Sequence, residues 1–146
     1  MYLAFFCRDQ DHESSPVKQF LLSRYGRDLG LRLAEKQKVF SAFSFALSRR
    51  GQPGGQYLKK LGRGYDAIEI RVKRGLDLIR FPYFTDILNN RLVLLSGFYK
   101  RDGYKEGGKI DRETRRKLDE AQLYYEEYNG DNCKYYIDRE INEYIN

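Results

Sequence analysis

Ala67-Ile68-Glu69-Ile70-Arg71-Val72 places Ile68, Ile70 and Val72 at every second position, with Glu69 and Arg71 between them. A period of two marks a strand with one face buried. Towards the C-terminus, residues 76–84 and 92–99 read as two further strands. The second is almost wholly apolar, as a central strand covered on both faces would be. Towards the N-terminus, Gln52-Pro53-Gly54-Gly55 is a loop by composition and marks the boundary where the period changes.

Before that loop, residues 28–50 repeat Leu29, Leu33, Phe40, Phe43 and Leu47 at spacings of 3, 4 and 7, which predicts a long helix. Arg49 and Arg50 suit its negative C-terminal end, and Gly51 suits the position just past it. Ser15-Pro16 predicts the start of an earlier helix, with serine as the cap and proline in the first turn. Val17, Phe20 and Leu21 form its apolar face, and Gly26 is its expected stop. Residues 2–7 read as a first strand. Residues 111–129 return to helical spacing through Leu118, Ala121, Tyr125 and Tyr128, with Gly130 as the stop. The order of strand, helix, helix, three strands and helix predicts an α+β fold. Its sheet is expected to be small and mainly antiparallel, with the helices on one face.

Past this region the chain turns acidic. Residues 125–146 hold Glu126, Glu127, Asp131, Asp138, Glu140 and Glu143 against Lys134 and Arg139, a net of 2 − 6 = −4. Ile137, Ile141 and Ile145 recur every fourth residue, which predicts an amphipathic helix lying on the protein's own core. The chain therefore divides into a main domain, 1–129, and an acidic helical extension, 130–146.

A chain of 146 residues suits one domain, and its 41% hydrophobic and 15% aromatic content supplies a core despite the high charge. A single histidine, His12, and two cysteines, Cys7 and Cys133, cannot form a zinc cluster of four Cys/His ligands. The cysteines have no C-x-x-C spacing, which suggests two reduced thiols in a cytoplasmic protein. Residues 2–7 are too short for a signal peptide or a membrane span. No phosphate-binding glycine loop of either common pattern occurs, so nucleotide-loop chemistry has no support.

The net charge of +6 and pI near 9.3 favour a polyanionic partner. Between Arg49 and Arg80 lie nine bases and three acids, so this one segment carries a surplus of 9 − 3 = +6. Because several of these bases sit on adjacent predicted strands, they are expected to converge on one sheet surface, the arrangement that holds a phosphate backbone. Parity sets Arg71 opposite the Ile68, Ile70, Val72 face and Arg80 opposite Ile79 and Phe81, so both are expected to emerge on the side away from the helices. Phe98-Tyr99-Lys100-Arg101 adds a second cationic pair beside aromatics, and Tyr104 follows in a glycine-rich loop. Guanidinium groups bind phosphate bidentately, and aromatic rings stack on unpaired bases.

Taken together, Lys60-Leu61-Gly62-Arg63-Gly64-Tyr65-Asp66-Ala67-Ile68-Glu69-Ile70-Arg71, then Ile79-Arg80-Phe81, then Leu94-Leu95-Ser96-Gly97-Phe98-Tyr99-Lys100-Arg101 resemble the RelE/HigB toxin superfamily, in particular its phage-derived HigB-like branch. The resemblance runs from about Tyr2 to Tyr128. It implies a toxin of a type II toxin-antitoxin pair that cleaves mRNA, usually on the ribosome, with a helix-turn-helix antitoxin as partner and neither metal nor cofactor. The catalytic residues it implies are Arg71, Arg80, Lys100 and Arg101. Lys60, Arg63, Lys73, Arg74, Tyr99 and Tyr104 are the candidate RNA contacts. Two departures stand out: Asp102-Gly103-Tyr104-Lys105-Glu106-Gly107-Gly108 replaces the family's usual loop, and the acidic tail has no counterpart. The loop departure favours the alternative of a toxin-like protein that binds nucleic acid or a protein partner without catalysis.

Overall fold

The alternation at 68–72 becomes strand β3 (Ile68–Arg74), which runs antiparallel to β4 (Asp77–Asp86) with Ile70 opposite Phe81 and Arg71 opposite Arg80. The computed structural model describes residues 1–9, 11–21, 33–62, 64–75, 77–100 and 112–146, and their fold is α+β. The remaining elements are β1 (Tyr2–Phe6), α1 (Pro16–Phe20), α2 (Leu33–Ser48), β2 (Leu58–Lys60), β5 (Arg91–Leu94), β6 (Phe98–Lys100), α3 (Arg112–Gly130), β7 (Tyr135–Tyr136) and α4 (Arg139–Ile145). The strands form one sheet in the order β2-β3-β4-β5-β1-β7, with β6 also paired to β4. All pairings are antiparallel except β1 with β5. Among the described residues no helix is long and apolar enough to cross a membrane.

Local signals in the chain set several boundaries. Ser15 caps α1 by accepting from the Lys18 amide at 3.1 Å, and Pro16 takes the first turn, where its missing N–H costs nothing. Gly26, the expected stop of this helix, and the predicted start of the next at Asp28 lie outside the described residues. At the end of α2 the Gly51 amide returns to the Ala46 carbonyl at 2.9 Å, with Gly51 at φ 78. A side chain there would meet Thr85 Oγ1 at 2.0 Å, so glycine answers both the backbone and the neighbour.

The apolar stretch expected as one strand at 92–99 is two, β5 and β6, laid end to end along β4. From the pair Tyr83–Leu94 to the pair Arg80–Phe98, β4 spends Phe81 and Pro82 while the other side spends Leu95, Ser96 and Gly97. That extra residue is a β-bulge. The Leu95 amide donates to the Pro82 carbonyl at 2.8 Å, so the edge of Pro82 that lacks an N–H faces the bulge. Gly97 is needed there because a Cβ would lie 2.7 Å from Phe20 and 2.9 Å from Phe81.

The helices do not share one face of the sheet, contrary to expectation. Leu3, Phe5, Ile70, Val72, Ile79 and Phe81 pack with Val17 of α1, Val39 and Phe43 of α2, and Ile145 of α4. On the other side, Ala4, Phe6, Val93 and Leu95 pack with Ala121 and Tyr128 of α3. The reason is that β1 and β5 are apolar on both faces, so a helix on one side alone would leave the other wet.

The acidic tail belongs to this sheet. β7 extends it beyond β1, and the Asn142 side chain continues the pairing, accepting from the Leu3 amide at 2.9 Å and donating to the Leu3 carbonyl at 3.0 Å. Ile145 is buried and Ile141 packs against the core, but Ile137 precedes α4 and is 38% exposed, so only part of the expected isoleucine stripe is used.

Candidate nucleic-acid interface

On the sheet face away from α2, residues from β2, β3, β4 and β6 line up in rows, because directly paired residues share a side. Lys59 pairs with Glu69, and Glu69 with Pro82; Arg71 pairs with Arg80, and Arg80 with Phe98; Lys73 pairs with Leu78, and Leu78 with Lys100. Lys59 and Lys73 are exposed.

At the centre lies a carboxylate. The side chain of Glu69 is 0% exposed, and the Arg80 guanidinium grips it with two bonds, Nε to Oε2 at 2.7 Å and an Nη donor to Oε1 at 2.8 Å. Arg71 Nε donates to Oε1 as well. Arg80 lies 5.4 Å from the centre of the Phe98 ring, which closes over it. An ion this deep is tolerated only when paired and hydrogen-bonded, and Glu69 is both. Two cations on one carboxylate leave a net charge of +1, and solvent reaches it mainly through Arg71, whose side chain is 26% exposed against 5% for Arg80.

Parity correctly sets Arg71 and Arg80 on the face away from α2, but Arg80 does not emerge into solvent. It is buried beneath Phe98 as the counter-charge of Glu69. Tyr99 pairs with Ile79 and packs against the α2-side core, so it leaves the basic face; the bulge shifts parity by one residue and brings Phe98 there instead. Lys60 pairs with Ile68 and so falls on the α2 side. Lys73 lies on the basic face as expected. Arg74 stands opposite Asp77, and Lys100 opposite Leu78. Arg63, Arg101 and Tyr104 lie outside the described residues.

Two members of the face, Lys59 and Glu69, were not among the site residues expected from the sequence. Lys59 was counted only as one of the nine bases between Arg49 and Arg80, because the three residues of β2 are too few to show a period. Glu69 was visible as an acid two residues before Arg71, which in a strand means the same face. This face can hold phosphate through Arg71, Lys59 and Lys73. Glu69 is wholly buried and each of its oxygens already accepts from an arginine, so the carboxylate cannot reach a substrate to take a proton from it. Cys7 is no nucleophile: burial, helped by the charge of Asp11, pushes its thiol up to about 12.

A second concave surface runs along α3, lined by Arg112, Arg115, Arg116, Asp119, Glu120 and Leu123. There Arg116 is bridged to Glu120 at 3.1 Å and to Glu113 at 3.9 Å, which spends much of its charge. Among the described residues no group of three or more His, Cys, Asp or Glu side chains is arranged to hold a metal ion. No family model, curated protein or solved structure matches this chain.

Proposed function

We propose that this protein is an mRNA endoribonuclease of the RelE/HigB kind, the toxin of a type II toxin-antitoxin pair that acts on ribosome-bound mRNA. The observation that carries the reading is Arg71: a guanidinium anchored on a buried carboxylate, open to solvent at the middle of a basic sheet surface, between Lys59 and Lys73. Support comes also from the element order of strand, two helices, antiparallel strands and helix, which is the order expected of a RelE-like fold.

The chemistry suited to such a face is transesterification. The 2′-hydroxyl attacks the adjacent phosphorus, the P–O5′ bond breaks, and the 5′-oxygen leaves with a proton. Negative charge grows on the non-bridging phosphate oxygens, and Arg71 meets it there, where a fixed cation counts for more than in water. Arg80 takes a different part from the one expected of it: it holds Glu69 and not the phosphate. Lys100, with the cationic Arg101 next to it in the chain, remains the candidate for proton transfer, and a helix-turn-helix antitoxin is the partner that the resemblance implies.

A second reading, a binder without catalysis, is favoured by one feature. The described basic face offers cations for phosphate, but both oxygens of its one carboxylate are already spent. Primer extension on mRNA from translating ribosomes treated with the protein separates the two. Codon-spaced breaks are expected, and Arg71→Ala should lower their rate on the order of a hundredfold. RNA binding without breaks would leave the binder.

A further inference from the structure

Glu69 is the most deeply buried charged group of the described chain, and nothing in the proposed cleavage chemistry uses it directly. At 0% exposure it cannot touch RNA, and both its oxygens face guanidinium groups. Glu69 and Arg71 stand two apart on the same strand and share a face, so the hydrogen bond between them holds Arg71 at its Nε edge. Arg80, two-pronged and closed over by Phe98, fixes Glu69 in turn. A free arginine on a flat sheet would sweep through many rotamers and lose entropy on meeting a phosphate. One anchored at Nε has lost that freedom before RNA arrives.

We propose that Glu69 is a positioning residue for phosphate-directed catalysis: it fixes the Arg71 guanidinium, and the Arg80–Phe98 pair serves to hold Glu69. This rests on the endoribonuclease reading. It predicts a loss in rate and not in affinity. Glu69→Gln removes a negative charge from a basic face, so RNA binding should stay the same or tighten, while Arg71, no longer held, should meet the developing charge less well.

The test is a double-mutant cycle between Glu69→Gln and Arg71→Ala. Single-turnover cleavage of ribosome-bound mRNA and affinity for an uncleavable RNA are both measured at a temperature where circular dichroism shows each variant folded. Glu69→Gln is expected to slow cleavage at least tenfold in the wild-type background, without weaker binding, and to change little once Arg71 is already alanine. An equal effect in both backgrounds, or a rate that follows only the folded fraction, would overturn the positioning role. If Glu69→Gln alone does not fold, the same cycle is run with Arg80→Gln present, where one lost charge balances the other. Failure of the wild-type protein to cleave at all would overturn the endoribonuclease reading and the positioning role together. Cleavage by the wild type with independent mutational effects would overturn positioning alone.

Discussion

Replacing Arg80 with alanine should destabilise the protein, because it strands Glu69 as a buried charge that keeps only Arg71. Breaking such a pair costs about 3–5 kcal/mol, which for a chain of this size lowers the melting temperature by roughly 10 °C or more. Arg71→Ala, at a partly exposed position, should cost distinctly less. Thermal denaturation followed by circular dichroism checks both, and equal melting for wild type and Arg80→Ala would contradict the burial of the pair. From the sequence, alternation alone found the right face for both arginines. It could not find their difference in depth, which comes from strand register and from the Phe98 ring, neither of which is written in the strand that carries Arg71.

Between Pro82 and Gly97 a single extra residue decides what the basic face contains. Before the bulge, Leu92 and Leu94 point to the α2 side; after it, Phe98 points the other way, onto Arg80. Gly97→Ala should cost about 1–3 kcal/mol, since the added methyl meets two core rings, Phe20 and Phe81, that have little room to move. A chemical denaturation midpoint at the wild-type value would show that those rings can give way. The helix caps at Ser15 and Gly51 were legible in the sequence because they depend on neighbours along the chain. The bulge had its signals too, a proline inside one strand and a glycine inside the next, but a continuous apolar run hid them. The side taken by α3 was less accessible, since the spacing of Leu118, Ala121 and Tyr128 predicts a buried stripe without saying which sheet face receives it.

Across the whole molecule the charges separate along the sheet. The basic strands β2 and β3 stand at one end, and the acidic tail joins beyond β1 at the other, with β4 and β5 between. The tail therefore does not lie among the basic strands, and its value is to β1. Deletion after Gly130 removes β7 and the Asn142 clamp and uncovers the outer edge of Tyr2-Leu3-Ala4-Phe5-Phe6, an apolar strand edge open to pairing with other chains. A lower melting temperature and a shift to larger species on gel filtration are expected; tighter RNA binding at unchanged melting would contradict this and make the tail an electrostatic gate. The same arrangement constrains how the protein is made. Tyr2 pairs with Arg91 and Phe5 with Tyr136, so β1 must wait, unpaired, for partners synthesised much later. Long-range pairings of this kind form slowly. The outer edge of β1 is covered only once Tyr136 and Asn142 have been made, and until then the nascent chain offers chaperones an apolar strand.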